Sequence, residues 1–96
     1  MARRPQMTRE LAESVAIQAL GFIAAEPERL GRFLALSGLA PESLRAAAQE
    51  PNFLLGVLDH VASDETLLMD FAGHLELAPD DVAAARDLLA GAPPVG

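Results

Sequence analysis

AIQALGFIAAEPERLGRFLALSGLAPESLRAAAQ at residues 16–49 and LLGVLDHVASDETLLMDFAGHLELAPDDVAAARD at residues 54–87 read as two copies of one pattern, offset by 38 positions. Leu20 falls on Leu58, Ala24 on Ala62, Leu30 on Leu68, Phe33 on Phe71 and Pro41 on Pro79. Ile23/Val61, Glu26/Asp64, Glu42/Asp80 and Leu44/Val82 pair by type. In a chain rich in Ala and Leu some coincidence is expected. The matched positions carry more weight, because they are a Leu-Ala-Pro corner, a Phe and an Ala-rich helix start. Self-similarity at this period marks an architecture built from repeated units.

Working outward, each copy holds three helical segments. Thr8 is a suitable N-cap with Glu10 in the first turn, and Leu11, Val15, Ala19 and Ile23 recur at helical spacing. Pro27 opens a second helix, with Leu30, Phe33 and Leu34 as its stripe and Gly38 as its left-handed stop. Pro41 opens a third, with Leu44 and Ala47 or Ala48 inward. The punctuation then recurs. Pro51 opens a fourth helix bearing Phe53, Leu54, Val57, Leu58 and Val61, and Ser63 is the expected cap of a fifth bearing Leu67, Leu68, Phe71 and Leu75. Pro79 opens a sixth, with Val82, Ala85 and Leu89 inward and Gly91 at its end. Gly21, Gly31, Gly56 and Gly73 fall inside helices, where close helix–helix contact is the expected reason for them. A unit this short buries too little to fold alone. The expectation is therefore an all-α, single domain of about six short helices in two pseudo-symmetric three-helix halves sharing one core. It is ordered over about residues 8–90, with loose tails at 1–6 and 92–96. A right-angled stack of helix pairs, as in a solenoid fragment, is the other arrangement that such short connections permit.

Composition narrows the function. The 96 residues contain no Cys, Trp or Tyr, and all seven basic residues are Arg. Thiolate nucleophiles, disulfides and zinc–thiolate sites are excluded. Residues 1–51 hold six Arg and six Glu, whereas residues 52–96 hold one Arg and eight acids, so the whole net charge of −7 sits in the second half. An acidic surface repels phosphate and anionic lipid, which argues against nucleic-acid and membrane partners. No apolar stretch is long enough to span a bilayer or act as a signal core, and a cytoplasmic protein is expected.

Few constellations suggest chemistry. His60 and Asp64, and Asp70 and His74, are four apart, so these residues are the candidates for a metal site. A helix boundary between His60 and Asp64, and the lack of an H-E-x-x-H pattern, weaken that reading. His74 near a helix end also suits a carbonyl cap. No serine lies in a nucleophile elbow, and no glycine-rich loop follows a strand. Catalytic residues and cofactors are therefore not expected. Glu42-Ser43-Leu44 is only a faint echo of the carrier-protein Asp-Ser-Leu site. Arg29 and Arg32, with Arg45, make up a small basic patch, read first as internal salt bridges to Glu26, Glu28 and Glu42, and otherwise as a grip on a carboxylate or phosphate or a contact to the acidic second half of another copy. Asp59 and Asp70 are its acidic counterparts across the chain.

The runs Met7–Ala12, Ala19–Ala24, Pro27–Leu34 and Gly38–Leu44 resemble a family of short alphaproteobacterial proteins known only as a domain of unknown function. The resemblance extends from about Met7 to Leu89 and implies a stand-alone bacterial protein with no assigned catalytic residues. The resulting expectation is a non-enzymatic module that binds another protein or a second copy of itself. The alternative is a small apolar-ligand binder with a pocket between the halves, and a metal enzyme at His60 and His74 ranks third.

Overall fold

The computed structural model describes residues 7–91 and holds six α-helices among them. They are α1 (Arg9–Ala24), α2 (Pro27–Ser37), α3 (Leu44–Ala47), α4 (Pro51–Ser63), α5 (Glu65–His74) and α6 (Pro79–Leu89), with a 3-10 turn at Pro41–Ser43 leading into α3. Proline begins α2, α4, α6 and the 3-10 turn, at a position whose N–H would have no helical partner. The Thr8 hydroxyl accepts from the Leu11 N–H at 3.1 Å, capping α1. The Asp81 carboxylate accepts from the Ala78 N–H at 3.0 Å, bracing α6. The cap of α5 is Asp64, not Ser63 as the sequence suggested. Asp64 has the extended backbone that a cap needs, and its carboxylate accepts from the Leu67 N–H at 3.2 Å. Ser63 is still helical and donates its hydroxyl to the His60 carbonyl at 2.9 Å.

One core joins the elements. Ala12, Val15, Ala16, Ala19 and Ile23 of α1 meet Leu54, Val57, Leu58 and Val61 of α4, and α6 closes over both with Val82, Ala85 and Leu89. Alpha2 packs along α1, and α5 along α4. No polar or charged side chain is buried among the described residues. No described helix is long and apolar enough to cross a membrane.

The 38-residue offset carries through the local structure. It maps the first residue of α2 onto the first of α5, and Pro41 of the 3-10 turn onto Pro79 of α6. It also maps Gly38 (φ 76°), the C-cap of α2, onto Glu76 (φ 56°), one residue beyond the C-cap of α5, so a left-handed residue follows both helices at the same repeat position. Ring contacts are exchanged between the copies. Phe22 of α1 meets Phe71 of α5 with centroids 5.5 Å apart, and their repeat equivalents, His60 of α4 and Phe33 of α2, meet at 5.1 Å. The exchange ends at the third segment. Alpha6 packs on α1, α4 and α5, whereas the four-residue α3 makes no comparable helix contact, so the packing of the whole domain is not two-fold. The physical reason is apolar content: residues 41–49 offer Leu44 alone, while α6 offers Val82, Leu88 and Leu89. The helical glycines also differ from expectation. A Cβ built on Gly21, Gly31, Gly56 or Gly73 would meet nothing within 4 Å, so close helix contact does not account for them. The expected loose tails at 1–6 and 92–96 lie outside the described residues.

Two stability outcomes follow from this frame. Glu76→Gly relieves a left-handed non-glycine residue and Gly38→Ala creates one, so urea titration should show a gain and a loss of about 1 kcal/mol respectively. Phe71→Ala, at a fully buried ring, should cost about 3–5 kcal/mol in the same measurement.

Candidate functional site

The predicted site residues divide among three surface clefts. Arg29, Arg32, His60, Asp64 and Asp70 converge on a cleft of about 600 Å³ between the starts of α2 and α5, together with Glu28. His74 is not in that cleft. It lies at the end of α5, where its ring meets Phe22 at 5.3 Å. The two imidazoles are therefore on separate features. No group of three or more His, Cys, Asp or Glu side chains suited to a metal ion occurs among the described residues. Asp59 projects from α4 and accepts a hydrogen bond from Arg86 of α6, and Arg86 also bridges to Asp87 at 3.1 Å.

The arginines are used differently from the sequence reading. Arg29 donates to the Phe22 carbonyl at 3.2 Å, near the negative end of α1, and lies over the Phe22 ring at 4.2 Å from the centroid. Arg32 reaches Asp64 in the second half at 3.8 Å, not a neighbouring Glu. Both partners there are partly solvated, so the pair contributes well under 1 kcal/mol. Sequence spacing gave no sign of the Arg29–Phe22 contact, because it depends on how the α1–α2 corner folds back.

The other two clefts are repeat equivalents. One, of about 460 Å³, runs between α1 and the end of α5 and includes Gln18, Gly21, Phe22, Ala25, His74 and Leu75. The other, of about 700 Å³, runs between α4 and the end of α2, where Gly56, Asp59, His60, Ser63, Leu36 and Ser37 occupy the same repeat positions. The first is covered by its own side chains: Arg29 and His74 both lie on the Phe22 ring. The second is wider and apolar at one end, where Leu39, Phe53 and Phe33 line it and Leu36 is 72 % exposed. Phe33 and Phe53 meet edge-on at 5.9 Å and form its firm wall. The sequence alone did not single out Leu36, Leu39 or Phe53 as a surface, since each is also a regular member of a helical or corner pattern.

His60 sits where this groove joins the charged cleft. Burial pushes its imidazole below the usual value of 6.5; the nearby Asp64 carboxylate opposes that shift, and Arg32 adds to it. A lowered folded value means that the unfolded chain takes up the proton first. Stability is then unaffected by His60 well above pH 6.5 and falls as the pH drops through and below that value. Urea titrations at pH ~7.5 and ~5.5 should show this loss. In His60→Phe, which installs the ring found at the equivalent Phe22, that part of the slope should vanish.

With the geometry in place, the comparisons with known proteins give one relationship. The family described as Protein of unknown function (DUF3572) matches residues 9–92, and the chain belongs to that family. No curated protein and no solved structure matches it.

Proposed function

We propose that this member of the DUF3572 family is a non-enzymatic protein-binding module of the bacterial cytoplasm, docking its partner in the groove between α2 and α4. The observation that carries the reading is Leu36, 72 % exposed at the mouth of a groove walled by Phe33, Phe53 and Leu39. Apolar side chains gathered along a groove favour a partner that covers them.

Other features support the non-enzymatic part. The Ser63 hydroxyl, the nearest nucleophile to His60 in sequence, is engaged with a backbone carbonyl. Asp70 and Arg32 in the charged cleft are open to solvent, so the cleft does not shield a reacting group from water. The interior between the two helix pairs is occupied by Ile23, Val57, Leu58, Val61 and Phe71, each fully buried, so the ligand-binding alternative would have to use a surface groove.

The test is co-purification of the tagged full chain from its host beside two variants. A stoichiometric protein partner should be retained by the parent chain and by Met69→Glu, which alters an exposed residue outside the groove, and lost by Leu36→Glu. Both variants should melt within about 0.5 kcal/mol of the parent, since both sites are exposed. A partner retained by Leu36→Glu, or an extracted apolar small molecule in place of a protein, overturns the proposal.

A further inference from the structure

The two equivalent grooves differ in how they are covered, and the difference points to the occupant. In the α1–α5 groove the floor ring Phe22 lies under the Arg29 guanidinium and beside His74, and Gln18 stands on the rim. In the α2–α4 groove every covering position has changed. The equivalent of Arg29 is Leu67, which turns into the core and is only 8 % exposed. The equivalent of His74 is Leu36, which projects outward. The equivalent of Gln18 is Gly56, where an added Cβ would find open space. The groove that closes itself uses a cation over a ring; the groove left open lacks that cation.

Charge runs the same way. At its polar end the open groove continues, through Leu36, His60 and Ser63, into a cleft bearing Asp64 and Glu65. Asp59 lies along its side, in place of Gly21 in the closed groove. Arg32 and Arg86 offset part of this, but each also faces a carboxylate pair: Asp64 with Glu65 in the same cleft, and Asp59 with Asp87. The edge is acidic on balance. A second copy of this chain is a poor fit, because each copy carries −7 and, of the five arginines among the described residues, Arg9, Arg29, Arg32 and Arg86 are engaged within the chain, which leaves Arg45 alone to face an acidic edge.

Resting on the docking reading above, we infer that the α2–α4 groove receives an amphipathic helix from another protein, with an aliphatic stripe along Leu36, Leu39 and Phe53 and flanking arginines toward His60, Asp64 and Glu65. The helix supplies from outside the apolar and cationic cover that His74 and Arg29 supply internally in the other groove. Aliphatic anchors in the apolar end give affinity, and the guanidiniums give orientation and rate of encounter.

The test is amide NMR of the full chain, titrated with two synthetic helical peptides that share a leucine stripe and differ in carrying flanking arginines or flanking glutamates. The arginine peptide should shift the amides of Leu36, Leu39, Phe53 and Gly56, leave those of Phe22 and His74 in place, and bind at least about tenfold more tightly than the glutamate peptide. Gly56→Gln, which restores the rim residue of the closed groove, should weaken that binding about tenfold while the melting temperature holds or rises, because glutamine is the better helix former. Equal binding of the two peptides overturns the basic partner and leaves the docking groove standing. Shifts centred on Phe22 and His74, or none with either peptide, overturn the inference at its root. Concentration-dependent shifts of the groove amides without peptide assign the surface to a second copy and overturn it as well. Saturation of the groove by decanoate when neither peptide binds removes the protein-docking reading too.

Discussion

The seam between α1 and α4 is the contact on which the rest depends. Each helix pair, α1 with α2 and α4 with α5, presents one apolar face and has no way to cover it alone. In the shared buried cluster α1 contributes the small Ala12, Ala16 and Ala19 beside Val15 and Ile23, and α4 contributes the larger Leu54, Val57, Leu58 and Val61. The crossed ring contacts then fix how the pairs sit. Phe22 reaches α5 and Phe33 reaches α4, so each pair holds an element of the other. An aromatic contact of this kind contributes about 0.5–1.5 kcal/mol beyond its burial, less than the seam itself, but it is directional where apolar burial is not. Phe22 lines one surface groove and Phe33 and His60 line the other, so the contacts that orient the helix pairs also place the grooves.

Helix boundaries were legible because the chain marks them chemically. Proline at 27, 41, 51 and 79 and glycine at 38 impose backbone geometry that tertiary packing has little power to change. The buried faces of α1, α4 and α6 were legible for a similar reason, since four-residue spacing of apolar residues leaves one face to bury. Three things were not. The choice between Ser63 and Asp64 as a cap turns on which residue leaves the helical region first, and both side chains are suitable. The shortness of α3 was masked by its Ala-rich sequence, which has helical propensity without a large side chain to anchor a longer helix against the core. The role of Arg29 depends on the α1–α2 corner, whereas Glu26, Glu28 and Glu42 lie close by in sequence and made a local ion-pair set the more natural reading.

The candidate surface was harder to read than the fold, because it is defined by a comparison between two places in the molecule. Gly56 alone is an ordinary exposed helix residue, and Leu36 alone is an ordinary exposed leucine. They become informative once Gln18 and His74 are seen at the equivalent positions of a groove that is covered. Asp59 shows the same effect. It ties α4 to α6 through Arg86, and it stands where the other copy has Gly21. The charge that secures α6, the helix that breaks the symmetry, also lies along the open groove. The packing asymmetry and the surface asymmetry are thus joined at one side chain.

Stability alone does not account for the open groove. An interior glycine costs a helix about 1 kcal/mol relative to alanine, and the open space around Gly56 means that nothing in the domain requires a glycine there. Leu36 gains only a minor part of the transfer free energy that burial of a leucine provides, yet it presents a large apolar side chain to water. The other copy shows that this backbone accommodates a polar side chain at both positions, Gln18 and His74. The α2–α4 surface therefore departs from the better-covered solution in the direction that leaves a ring-floored, apolar, acid-edged groove open, and that departure is the physical content of assigning it to a partner.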